Sequence, residues 1–127
     1  MRELSLIGFF GALGAMGRYG IGLAMAQWTT ARFPWATFIV NVLGSLLLGL
    51  LMVATIETQT LSREWKVALG TGLLGAFTTY ATFSYETLAL IEGQSLRLAV
   101  ANVVANLVCG LGAVFAGLVL GRLLFRA

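Results

Sequence analysis

The sequence predicts an all-α integral membrane protein with four transmembrane helices. Three observations carry that expectation. Hydrophobic residues make up 59% of the 127-residue chain and charged residues only 10%, where a soluble domain carries roughly 25% charged residues. Mean hydropathy is +0.93. The apolar runs are long enough for helices of about 20 residues, and short polar stretches separate them.

The first helix is read over about 4–26. "AMA" at 24–26 looks like a small-residue cleavage site, but Arg18 interrupts the apolar region and argues against a cleaved signal peptide. The second helix is read over about 36–56, after "TTARFPW", with Pro34 left in the loop where its missing N–H does no harm. The third is read over about 65–91, after "ETQTLSRE", and the fourth over about 96–124, after "EGQS". Ser62 and Ser95 stand where helix-capping hydroxyls belong. All four belong to one domain, residues 1–127.

Several functions are disfavoured at once. The single cysteine, Cys109, excludes an internal disulfide, and Cys109 reads as a small core residue. With no histidine either, zinc, haem and iron–sulfur sites have no ligand set. The pI of 9.6 comes from eight basic residues flanking apolar runs, which points to membrane helices and not to nucleic acid. No nucleotide loop and no nucleophile–base pair is legible.

Helical spacing sorts the polar residues into faces. On the first helix, Gly11, Ala15, Arg18 and Gly22 share one face. Gly8, Gly11, Gly14 and Gly17 form a small ridge suited to close packing in lipid. Arg18 lies well inside the span, where a charge either faces the protein interior or snorkels to the interface. On the second helix, Thr37, Asn41 and Ser45 form a stripe that serves either function or interhelical hydrogen bonding. On the fourth, Asn102, Asn106, Cys109, Ala113 and Gly117 line a face that is polar at its start and small at its end.

The stretch "GAFTTYATFSYE" at 75–86 concentrates hydroxyls, rings and a carboxyl where lipid penalises polar groups. As continuous helix it would align Thr78, Thr82 and Glu86, with Thr79 beside them and Tyr80 and Phe83 on the adjoining face. A continuous helix over 65–91 would run about 40 Å, against a hydrocarbon core of about 30 Å. Gly70, Gly72 and Gly75 precede the threonines. The third helix is therefore expected to break near 75–79, with unwound backbone buried by protein or lining water.

"GALGAMGRY" at 11–19, "FIVNVLGSLLLG" at 38–49 and "GLLGAFTTYATFSYE" at 72–86 together resemble the Fluc (CrcB) family of fluoride channels. The resemblance implies a passive, fluoride-selective channel in the plasma (inner) membrane that relieves fluoride toxicity. It implies an antiparallel, dual-topology homodimer with two pores and a central structural Na+. The sodium ligands carried over are the backbone carbonyls of Gly75 and Thr78. The implied fluoride pathway comprises Asn41, Tyr80, Phe83, Thr82, Thr79, Glu86 and Arg18, with Asn106 from the fourth helix. Two positions depart from the family pattern: Tyr80 replaces a phenylalanine and adds a phenol donor, and Ala81 replaces a serine.

The chemistry is compatible with an anion path. Fluoride needs donors to replace its water, and Asn41, the threonine hydroxyls and Tyr80 supply them. Ring edges such as that of Phe83 are partially positive, and Arg18 raises the local anion concentration. Glu86 either carries a proton in this setting or orders the neighbouring hydroxyls. One competing reading, a non-conducting structural subunit, explains the glycine faces but not the ordered Thr–aromatic–Glu cluster. The stronger is a four-helix, proton-coupled multidrug or cation exporter. It needs a membrane-embedded carboxylate in command, and Arg18 has the opposite sign. One side of the bundle carries Arg2, Arg63, Lys66, Arg122 and Arg126 and the other Arg32 and Arg97, with Arg18 nearer that end. That bias sits awkwardly with dual topology.

Overall fold

A computed structural model of the chain describes residues 1–126, all in helices and their connections. Helix α1 spans Arg2–Trp28 and α2 spans Trp35–Met52, running on as a π-helical turn over Val53–Glu57. The third helical segment comes in two pieces. Its first half, α3, starts at Arg63–Trp65, widens into a π-helix over Lys66–Leu74 and closes at Gly75–Phe77. Its second half, α4, is Tyr80–Glu92. The last helix, α5, is Leu96–Phe125.

Three helices, Arg2–Trp28, Trp35–Glu57 and Leu96–Phe125, are long and apolar enough to cross a membrane by length and composition. They are covered mostly by exposed apolar side chains, among them Leu4, Phe9, Leu107, Leu111, Phe115 and Leu123. Such a surface is stable in lipid and a liability in water. Among the described residues, the most deeply buried apolar positions are small or medium-sized, with Val40, Val53, Ala68 and Ala99 among them.

Packing rests on close backbone approach, as expected where no hydrophobic force drives helices together. Gly49 of α2 and Gly117 of α5 face each other; a Cβ on either would strike the opposite backbone, at the Val114 carbonyl and the Leu46 carbonyl respectively. Gly14, the one buried residue of α1, similarly meets the Leu73 carbonyl of the π-helical segment. The other ridge glycines are looser, and Gly8 has nothing within 4 Å.

The break is narrower than the 75–79 expected from sequence. Gly75–Phe77 is still helical, and only Thr78 (ψ 161°) and Thr79 (ψ 120°) are extended. The two π-helical stretches were not foreseen. Two capping assignments also need correction: Ser62 and Ser95 occupy N-cap positions, but neither side chain makes a capping bond. Thr79 is the residue that caps, its hydroxyl accepting from Thr82 N–H. Cys109 is exposed and not in the core of the chain. The face of α5 turned inward steps by fours through Asn102, Asn106 and Gly110, and Cys109 lies one residue off it.

At one end of the bundle Glu57 accepts a two-pronged bond from Arg122 (Nη2–Oε1 2.8 Å, Nε–Oε2 3.1 Å) and pairs with Arg126. Arg2 faces Glu64 and Arg63 faces Glu3 nearby. At the other end Arg32 donates to the Gly93 carbonyl at 3.1 Å and ties the first loop to the end of α4.

Candidate functional site

The break leaves backbone groups without their helical partners, and one side chain of α2 gathers them. In a continuous helix Thr79 N–H would bond the Gly75 carbonyl. Here it donates to Asn41 Oδ1 at 2.8 Å. Asn41 Nδ2 in turn donates to the Thr79 carbonyl at 3.2 Å and to Asn106 Oδ1 at 3.1 Å. The amide therefore clasps Thr79 on both sides and spans from α2 to α5. Thr82 N–H, which would bond the Thr78 carbonyl, turns instead to the Thr79 hydroxyl at 3.3 Å. The carbonyls of Gly75 and Thr78 thus both lose the donors that a continuous helix would give them.

Two cavities flank this point. The first, about 470 Å³, is lined by Asn41, Gly75, Thr78, Thr79, Tyr80, Phe83 and Asn106, among others. The Tyr80 and Phe83 rings lie 5.9 Å apart at an interplanar angle of 48°. Tyr80 is 80% exposed. The second cavity, about 510 Å³, is lined by Arg18, Thr37, Thr79, Thr82 and Glu86, with α1 forming its wall. Thr79 borders both.

The residues singled out from sequence therefore fall into two groups. Asn41, Tyr80, Phe83 and Asn106 share one chamber with Gly75 and Thr78, while Arg18, Thr82 and Glu86 share the other, and Thr79 joins them. The stripe imagined for a continuous helix is corrected in one place. Thr78 separates from it, because its hydroxyl donates back to the Leu74 carbonyl at 3.0 Å. What survives is Thr79, Thr82 and Glu86, with the Thr79 hydroxyl 3.0 Å from that of Thr82. Glu86 Oε1 accepts from Thr37 at 3.0 Å, and its buried Oε2 has no hydrogen-bond partner among the described residues. The stripe on α2 likewise disperses: Thr37 goes to Glu86, Asn41 to the break, and Ser45 faces Gly110.

The chain is also similar to known proteins over nearly its whole length. A family profile described as "CrcB-like protein, Camphor Resistance (CrcB)" matches residues 5–118. The chain belongs to the CrcB family. This CrcB protein is 40% identical over 125 residues to the "Fluoride-specific ion channel FluC" of Agrobacterium fabrum, covering 98% of this chain and all of that one. It is 43% identical over 122 residues to the protein of the same name from Chloroflexus aurantiacus, covering 96% and 97% of the two chains. The Clostridium perfringens protein of that name is 38% identical over 120 residues, 94% of each. Asn102, which is fully buried among the CrcB chain's polar residues, carried no role in the sequence reading. Its four-residue spacing from Asn106 was the available signal.

Proposed function

We propose that this CrcB protein is a subunit of a passive, fluoride-selective channel of the inner membrane, and not an enzyme. Near-full-length likeness to relatives named as fluoride-specific channels carries the reading. The local chemistry supports it. The Arg18 chamber gathers anions, and the hydroxyls of Thr79 and Thr82 carry donors from that chamber to the break. Beyond it, the Tyr80 and Phe83 edges and Asn106, which line the other chamber, continue the path. No energy source is part of the chain, so flow follows the electrochemical gradient and relieves cytoplasmic fluoride.

The functional unit is an inverted pair of subunits with two such pathways. The exposed Tyr80 and the open chamber beside it fit a surface that a second copy completes. A structural sodium fits the Gly75 and Thr78 carbonyls, since both are hard oxygen donors released from helical bonding. Two carbonyls are fewer than a cation's usual oxygen ligands, so a site shared between two copies is the economical arrangement.

The test is ion efflux from liposomes, read with fluoride and chloride electrodes in parallel under valinomycin. Fast fluoride release without chloride release is the expected result; comparable chloride flux would sink fluoride selectivity. Replacing all sodium by N-methylglucamine should abolish fluoride flux. Full flux after rigorous sodium removal would refute the sodium site while leaving the channel intact.

A further inference from the structure

A hydrogen-bonded chain runs from the break to the carbonyl of Phe83, and its middle member touches neither cavity. Asn41 clasps Thr79 and donates to Asn106. Asn106 Nδ2 donates to both the Oδ1 and the backbone carbonyl of Asn102, each at 2.9 Å. Asn102 Nδ2 donates to Thr87 Oγ1 at 3.0 Å. The Thr87 hydroxyl donates to the Phe83 carbonyl at 2.7 Å. The circuit begins at the cap of α4 and returns to α4 one turn later. It therefore fixes both the start of that helix and its rotation about its own axis.

Asn102 is 0% exposed and lines neither chamber. It has no route to a passing ion. A buried amide in an apolar helix is costly unless its bonds are made, and here they are made in one direction only. Asn102 accepts from Asn106 and donates to Thr87. Reversing or deleting it strands groups on both sides.

We propose that Asn102 and Thr87 are positioning residues: they lock the rotation of α4 so that Tyr80 and Phe83 present their ring edges to the fluoride path. The proposal rests on the channel reading above. Size discrimination then depends on two side chains that never meet the ion.

The test uses the full-length purified protein in liposomes, with fluoride and chloride efflux measured side by side. Thr87→Val keeps the shape of the side chain but removes its hydroxyl. It should lower fluoride flux about tenfold, as expected for loss of a buried hydrogen bond, and raise chloride leak. Thr87→Ser restores the hydroxyl and should restore both rates. Asn102→Leu should reproduce Thr87→Val, and the double variant should be no worse than either single one, because the two act through one chain of bonds. A purely structural role would lower protein yield or flux without changing the fluoride-to-chloride ratio. An unchanged ratio and flux in Thr87→Val, with wild-type elution from a sizing column, would overturn the proposal. Absence of fluoride flux in the unmodified protein would overturn the channel reading instead.

Discussion

Asn41→Asp is expected to abolish fluoride efflux while leaving a folded, assembled protein. The substitution changes little in size but reverses a donor. Asn41 Oδ1 accepts from Thr79 N–H, and a carboxylate keeps that bond. Asn41 Nδ2 donates to the Thr79 carbonyl and to Asn106 Oδ1, and a carboxylate would confront both acceptors with a third oxygen. Each unsatisfied buried group costs on the order of 1–3 kcal/mol, so a fall in flux of about 100-fold follows if the break must hold this geometry to conduct. A negative charge beside the path adds repulsion of the permeant anion. Liposome efflux of the variant, alongside its elution volume in detergent, decides the matter. Near-wild-type flux from Asn41→Asp would mean that neither its donor capacity nor the clasp on Thr79 matters for conduction.

The structure alters what Asn41 is asked to do. From sequence, its amide was equally suited to greeting the ion or to joining helices. In the folded chain its N–H groups already have partners, so donation to fluoride requires exchange with Thr79 or Asn106.

Much of the architecture was legible because membrane helices announce themselves through length and apolarity. The break was legible too, because three glycines precede a hydroxyl run that lipid would penalise. Its exact width was not, since Gly75–Phe77 closes one more turn before Thr78 turns away. The π-helical segment over Lys66–Leu74 left no mark in the sequence, because its glycines and leucines suit an α-helix equally well. The polar residues were recognised, but their grouping into two chambers was not. That division depends on Thr78 and Thr79 leaving helical geometry, which sends neighbouring hydroxyls to opposite sides. Cys109 was misassigned for a related reason. A face drawn through Asn102 and Asn106 continues to Gly110 as readily as to Cys109, and only packing against Ser45 selects between them.

Gly117→Ala is expected to destabilise the protein severely, although alanine is the better helix former. In an isolated helix the change would gain about 1 kcal/mol. At this position the added carbon would collide with the Leu46 carbonyl and approach Leu50 N at 3.0 Å and Gly49 Cα at 3.1 Å. All three are backbone atoms and cannot rotate aside. Helices α2 and α5 must then separate, and overpacking of this kind costs about 3 kcal/mol. Separation also pulls Asn41 away from Asn106, so transport should fail along with stability. Gly112→Ala is the matched comparison, since nothing lies within 4 Å of its Cβ position on the same helix. Thermal unfolding in detergent should show Gly117→Ala melting well below the parent and Gly112→Ala at or slightly above it. Equal melting of the two variants would show that the α2–α5 contact yields without cost, and that the close glycine pair does not hold the bundle together.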